Sequence, residues 1–202
     1  MGHVVVFAKA PRLGTVKRRL AAGIGALAAL RFHRAATERL LRRLARDRRW
    51  HCWLALTPDR AARSRCFGRV PAARLAQGRG DLGRRMARPF RILRRGPVLV
   101  VGSDIPDVSA GHIAEAFRRL GSADFVFGPA RDGGYWLFGA RRGPLPPGIF
   151  AGVRWSTEHA LADSVATLPR RFRIALAATL DDIDDAASLR RWTARSRSLN
   201  RV

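Results

Sequence analysis

Three short stretches of this chain concentrate the ionisable side chains from which a reactive site can be built. The first is FAKAPRLGTVKRRLA at residues 7–21, which contains both of the chain's lysines, Lys9 and Lys17. Lys17, Arg18 and Arg19 are expected in the first turn of a helix capped by Thr15, where the positive helix end disfavours cations. A negative ligand is the physical remedy. Backbone N–H groups after Gly14, joined by Lys9, Arg12, Lys17 and Arg19, would cradle a phosphate or diphosphate; a solvated basic helix face is the competing explanation. The spacing is not GxxxxGK[ST], and no GxGxxG follows the first apolar run, so neither a P-loop ATPase nor a dinucleotide fold is supported.

The second stretch, GSDIPD at 102–107, directly follows the clearest strand and places Asp104 at its carboxyl end, where open α/β sheets bind ligands. Ser109 is better placed than Ser103 or Asp107 to cap the next helix, which leaves Asp104 free. The third, LDDIDD at 180–185, packs four carboxylates into five residues, an arrangement that repels itself unless a cation or arginines neutralise it. Asp185 can serve as a helix N-cap. Asp182 and Asp184 share a side of an extended chain and, with Asp104, make an all-oxygen set suited to Mg²⁺ or Mn²⁺. Pairing with the arginine surplus is the rival account.

Two glycine-bounded turns add weaker candidates. GPARDGGYWLFG at 128–139 allows close backbone approach to a ligand, with Asp132 either orienting an acceptor or bonding its own backbone. GDLGRRM at 80–86 offers Asp81 as either a cap or a ligand. His33, His51 and His159 lack partners at metal spacing, and no GxSxG or cysteine–histidine pattern points to covalent catalysis. Cys52 and Cys66, separated by thirteen residues, read as buried free thiols.

The elements that must position these residues alternate between strand and helix. Val4–Ala8 is a short apolar strand, followed by a helical stretch that breaks near Gly23 or Gly25 and runs toward Arg49. Trp50–Leu56 and Arg74–Gln77 read as strands, and a helix after GDLGRRM should be kinked or ended by Pro89. Residues 96–102 form a strand apolar on both faces, as parallel strands between helices are. Ile113, Ala116, Phe117 and Leu120 mark the next helix. Strands at Phe125–Gly128, Tyr135–Gly139 and Phe172–Leu176, a helix through Leu161, Val165 and Leu168, and a last helix around Leu189 and Trp192 complete the pattern. Residues 1–202 therefore read as a single α/β domain, a mostly parallel sheet flanked by helices.

Composition narrows the function classes. The formal net charge is +24, carried by 39 basic residues of which all but two are arginine. Residues 1–101 hold 25 basic and 4 acidic side chains, whereas residues 102–202 hold 14 and 11. Arginine standing almost everywhere for lysine suggests a coding bias, so the excess does not point to specific nucleic-acid binding, although non-specific adhesion to polyanions at low salt follows from it. No 18-residue apolar run is present, so no membrane span is expected. The N-terminal residues lack the pattern of a secretory signal, so a cytoplasmic protein is expected.

These motifs together resemble a bacterial glycosyltransferase-like family, first grouped as a domain of unknown function, within the nucleotide-diphospho-sugar transferase superfamily. More distantly the chain is similar to molybdenum cofactor and phospholactate guanylyltransferases. The resemblance spans nearly the whole chain, from FAKAPRLGTVKRRLA through GDLGRRM, VGSDIPD, FGPARDGGYWLFG and GVRWSTEHAL to TLDDIDDAASLRRW. It implies a GT-A-like fold. It also implies a first loop that receives the nucleotide phosphates through Lys9, Gly14, Lys17 and Arg19. Asp104 resembles the metal ligand, completed by Asp182 or Asp184. Two positions depart from the family pattern: Arg18 replaces a hydroxyl residue and Arg84 stands where an acid is common, both adding positive charge.

The expected activity is metal-assisted transfer from a nucleotide-activated small molecule to an acceptor that the sequence does not identify, with Asp104, Lys17 and Asp132 as the catalytic candidates. Glycosyl transfer from a nucleotide sugar is the first expectation. Nucleotidyl transfer from a triphosphate to a small phosphorylated acceptor is the alternative, and a non-catalytic nucleotide- or polyanion-binding module is a third.

Overall fold

The structure, a computed structural model, describes residues 1–93 and 96–199. Seven strands make one sheet: β1 (Gly2–Lys9), β2 (Trp50–Thr57), β3 (Ala73–Ala76), β4 (Val98–Gly102), β5 (Phe125–Pro129), β6 (Tyr135–Ala140) and β7 (Ile174–Leu176), in the spatial order β3-β2-β1-β4-β6-β5-β7. β6 runs antiparallel to both β4 and β5, and the other pairings are parallel. The mostly parallel sheet flanked by helices is therefore the architecture that the alternation predicts.

The helices are α1 (Arg18–Ile24), α2 (Ala26–Ala45), α3 (Leu82–Ile92), α4 (Ala110–Arg119), α5 (Ala160–Ala166) and α6 (Ala186–Leu199). Successive residues of a strand point to opposite faces, and β1 shows what that demands. Val4 and Val6 join Leu40, Leu41 and Leu44 of α2 and Ile113 of α4 in one core. Val5 joins Met86 and Phe90 of α3, with Phe127 and Phe138, in the other. Val4, Val5 and Val6 are all fully buried, so an uninterrupted apolar run is the only pattern that satisfies both layers. Each such side chain contributes roughly 1.5–3 kcal/mol relative to exposure.

Several local expectations are corrected. Thr15 does not cap α1: its hydroxyl donates to the Arg12 carbonyl at 3.0 Å, and the N-cap position falls to Lys17, with φ 48° and ψ 49° and no side-chain cap. The turn at 12–15 thus consumes the cap that the sequence offers. Pro89 does not end α3, which continues to Ile92 because Phe90 is buried and packs against Phe138. The break between α1 and α2 does fall at Gly25, φ 84°. Ser109 caps α4 through a reciprocal bond pair with His112, and Cys66, unlike Cys52, is only half-buried.

The chain leaves β1 toward β2 on one side, while β4 joins β1 on the other. Ligands of open α/β sheets bind outside the carboxyl ends of strands at such a switch point. The loops after β1, β4 and β7 and the turn from β5 into β6 all emerge on that edge. Among the described residues, no helix is long and apolar enough to cross a membrane.

Candidate functional site

The loop after β1 is pinned by buried Ala10 and Val16, and the Lys9 ammonium donates to the Thr15 carbonyl at 2.9 Å. This geometry delivers Lys17 in a left-handed conformation that side chains rarely adopt, a strain of about 1–3 kcal/mol that persists only where surrounding structure demands it. The demand is visible. The Lys17 side chain is 4% exposed, and its Nζ lies 3.0 Å from Asp104 Oδ1 and 2.7 Å from Asp184 Oδ1. One ammonium therefore joins the first basic motif to both acidic motifs, and the Asp104 carbonyl accepts the Ile183 N–H at 3.1 Å, which stitches the two acidic loops together.

Asp104 is 43% exposed, opening into the cleft. Desolvation alone would raise its carboxyl, but His33 and the Lys17 ammonium outweigh it and hold the group at about 2. His33, buried on α2, is 3.9 Å away through Nδ1, while its Nε2 donates to the Lys9 carbonyl at 2.9 Å. For Lys17 itself desolvation favours the neutral amine, yet Asp104 and Asp184 prevail and raise it above the ordinary lysine value.

The four carboxylates of LDDIDD divide their labour. Asp181 pairs with Arg131 and Arg195, each at 2.7 Å, and Asp185 accepts the Ser188 N–H at 2.7 Å as the cap of α6. Asp182 and Asp184 instead face the cleft. Asp182 is raised to about 6 by desolvation and by the negative charges of Asp184 and Asp132, which Lys17 only partly offsets. Arginine pairing, one of the two explanations drawn from the sequence, accounts for Asp181, while Asp184 pairs with Lys17 and Asp182 is left short of positive charge.

The cleft encloses about 570 Å³, with Lys17, Arg18 and Arg19 lining it alongside Asp104, Asp132, Asp182 and Asp184. Asp132 accepts the Gly134 N–H at 2.9 Å, bonding its own turn while still lining the cleft. Gly133, φ 82°, lets the 158 backbone approach so closely that a Cβ would sit 2.1 Å from the Glu158 carbonyl oxygen. Lys9, Gly14 and Asp81 do not line the cleft: Lys9 secures the loop, Gly14 is exposed, and Asp81 caps α3 by accepting the Arg84 N–H at 2.8 Å.

Other residues join the site without having announced themselves. Tyr135 hydrogen-bonds Ser164 at 3.1 Å and stands edge-on to Trp155 at 6.3 Å, so both rings form an aromatic wall of the cleft. Burial pushes the Tyr135 hydroxyl well above its ordinary value. Leu82 and Met86 supply an apolar strip. The signal for Trp155 was its place in GVRWSTEHAL, a motif without a chemical reading of its own; His33 carries no local signal.

Oxygen donors are the chemistry that hard divalent cations take. Among the described residues no three acidic, histidine or cysteine side chains are drawn together into a ready-made metal cage, since the Lys17 ammonium already occupies Asp104 Oδ1 and Asp184 Oδ1. The surplus negative charge on Asp182 nevertheless fits an incoming cation. Mg²⁺ commonly binds through one or two carboxylates plus substrate phosphates, which requires no preformed cage.

Comparisons with known proteins agree with this architecture. The model of the DUF2064 family, "Uncharacterized protein conserved in bacteria", matches residues 40–157. Among solved structures, a candidate nucleotide-diphospho-sugar transferase from Desulfovibrio desulfuricans G20 is 28% identical with a TM-score of 0.85, over 93% of this chain and 84% of that one. The 2-C-methyl-D-erythritol 4-phosphate cytidylyltransferase of Thermus thermophilus superposes with a TM-score of 0.52 at 16% identity over the whole of both chains. Rv0371c of Mycobacterium tuberculosis H37Rv, in complex with manganese, gives 0.50 at 16% identity over 94% and 96%. The last two likenesses show the fold alone. No curated protein matches the chain.

Proposed function

The chain belongs to this family of bacterial proteins, and from that premise we propose that residues 1–202 are one transferase domain acting on a nucleotide-activated substrate, by nucleotidyl transfer from a nucleoside triphosphate to a small phosphorylated acceptor. The observation that carries this reading is the Lys17 ammonium held between Asp104 and Asp184 at the sheet's switch point, beneath a cleft edged by Arg18 and Arg19. The name of one fold neighbour, a cytidylyltransferase whose acceptor carries a phosphate, supports nucleotidyl transfer.

In this reaction an acceptor phosphate oxygen attacks the α-phosphorus, a new P–O bond forms, the α–β bridging bond breaks, and pyrophosphate leaves with the electron pair. A phosphate monoester has its second pKa near ~6 and is already a dianion at neutral pH, so the attack needs no general base. That accords with a cleft in which Asp104 and Asp184 are engaged in charge pairing and Asp132 in a turn bond. Lys17 keeps Asp104 ionised and aligns it with Asp184, Arg18 and Arg19 neutralise phosphate charge, and Asp132 and the Tyr135–Trp155 wall orient the partners. Mg²⁺ or Mn²⁺, held by Asp104 with Asp182 or Asp184, would supply charge neutralisation at the phosphates when bound; manganese in the Rv0371c complex supports that choice.

The test is calorimetric binding of nucleoside triphosphates and nucleotide sugars with and without Mg²⁺ or Mn²⁺, followed by pyrophosphate release in the presence of sugar and polyol phosphates. Metal-dependent preference for one triphosphate, with pyrophosphate formed in step with acceptor, is the expected result. Metal-dependent preference for a nucleotide sugar would move the assignment to glycosyl transfer, and metal-indifferent, salt-sensitive binding to every nucleotide would leave a polyanion-binding module.

A further inference from the structure

A second cavity, of about 390 Å³, lies on the opposite side of α3 from the cleft. Leu82 and Met86 face the cleft, whereas Arg84, Arg88 and Arg91, spaced four and three residues apart and so on one helix face, line the other cavity together with Arg79. The facing wall includes Leu145 and Ile149.

Three observations mark these arginines as a group. Some arginines elsewhere find acids: Arg34 and Arg42 meet Glu38, Arg119 meets Glu115, and Arg154 meets Asp163. Among the described residues, none of the four cavity guanidinium groups has an ion pair or a side-chain hydrogen bond. The two acids of the adjoining loops are already spent on backbone, Asp59 on the Gly78 N–H at 2.9 Å and Asp81 on the Arg84 N–H at 2.8 Å. Second, the Arg88 Nε is buried with no hydrogen-bond partner, a condition that is costly for a charged group unless an acceptor arrives. Third, the arginines are seated. A Cβ at Gly78 would meet Arg88 Cδ at 3.0 Å, and one at Gly80 would meet Arg84 Cδ at 2.9 Å, so two glycines make room for two arginine stems to lie across the loop.

We propose that this cavity is a binding site for a small organic phosphate, with the arginines taking the phosphate and Leu145 and Ile149 the apolar body. Guanidinium forks match phosphate oxygens bidentately, several cations on one wall favour a dianion over a monoanion, and the volume is that of a small-molecule site. The site is independent of the transfer reaction, since it shares neither Asp104 nor Lys17.

The experiment is calorimetric titration of the full chain with n-hexyl phosphate, inorganic phosphate and hexanoate at ~0.15 M salt, where long-range surface attraction is screened. One saturable site is expected for hexyl phosphate, with inorganic phosphate and hexanoate each at least ~10-fold weaker. Arg88→Gln, and separately the exposed pair Arg84→Gln/Arg91→Gln, which leaves the buried Arg88 in place, should weaken it at least ~10-fold. The cleft variant Arg19→Gln should retain it within ~2-fold, a change too small for a lost contact. Loss in Arg19→Gln but not in the α3 variants would place the ligand in the cleft and overturn the proposal. So would equal loss on replacing Arg42 and Arg46, which would reduce the effect to general charge, or the absence of any saturable binding.

Discussion

The two sides of α3 carry opposite electrostatic arrangements. In the cleft, charge is nearly closed on itself: Lys17 sits between Asp104 and Asp184, and only Asp182 registers the surplus of negative charge. In the second cavity, four arginines face an apolar wall, and among the described residues none of them meets an acid. A balanced site tightens only when a cation and an anion arrive together, as a metal–nucleotide does. An unbalanced one is completed by an anion alone. The same helix thus separates a site built for exchange of charges from one built for capture.

The largest effect expected from breaking this contrast is at Asp104. Asp104→Asn removes a carboxylate held at about 2 and should lower pyrophosphate formation by ~100-fold or more, by analogy with loss of a principal transition-state electrostatic group. It should also abolish the metal dependence of nucleotide binding seen by calorimetry.

Gly133→Ala comes next. The added Cβ meets backbone at 2.1 Å in a left-handed conformation, so a loss of about 2–4 kcal/mol in urea unfolding is expected. Gly78→Ala has a comparable φ of 88° but meets a flexible arginine stem, and should cost nearer ~1 kcal/mol. Equal losses would show that the cleft wall is no more rigid than the arginine seat.

Lys17→Met leaves Asp104 and Asp184 without their shared cation. Breaking a buried pair costs about 3–5 kcal/mol, but both carboxylates open to solvent, and screening brings the expectation to about 1–3 kcal/mol. Thermal melts at pH 7 should show the deficit, and added Mg²⁺ should recover part of it.

Asp182 gives the smallest effect and the sharpest sign. Its folded-state value of about 6 lies above the ordinary 3.8, so the stability associated with the protonated group is fully present below the lower value and is lost as pH rises through the higher. Without divalent cation, Asp182→Asn should therefore match the parent below pH ~4 and exceed it by roughly 1 kcal/mol above pH ~6, a shift of one unit being worth ~1.4 kcal/mol before screening. A uniform gain at every pH would remove the charge argument for that carboxylate.

Much of this was legible in residue order. Continuous apolar strands, helical spacing at Ile113, Ala116 and Leu120, and glycine at the α1–α2 break gave the architecture, because burial on two faces leaves few other solutions. Lys17, Arg19, Asp182 and Asp184 stand out by charge that local structure does not explain, Asp104 by its place after a strand and Asp132 by its glycine-bounded turn, and all six line one cleft. Lys9, Gly14 and Asp81 were grouped with them on position alone, and the loop and cap geometry uses them otherwise. Thr15 failed as a cap because a competing turn to Arg12 was closer at hand.

Residue order sets the layers of the fold and marks the motifs that carry unbalanced charge, since periodicity and local charge density are properties of neighbours along the chain. The partners that answer that charge come from folding. Lys17 meets an aspartate 167 positions away, His33 approaches Asp104 from another layer, and Trp155 closes the aromatic wall from a loop with no motif chemistry. Arg84, Arg88 and Arg91 of α3 face a cavity rather than an acid. Electrostatic partnership depends on distance through space, and in a sheet whose strand order departs from chain order, distance through space is set by topology.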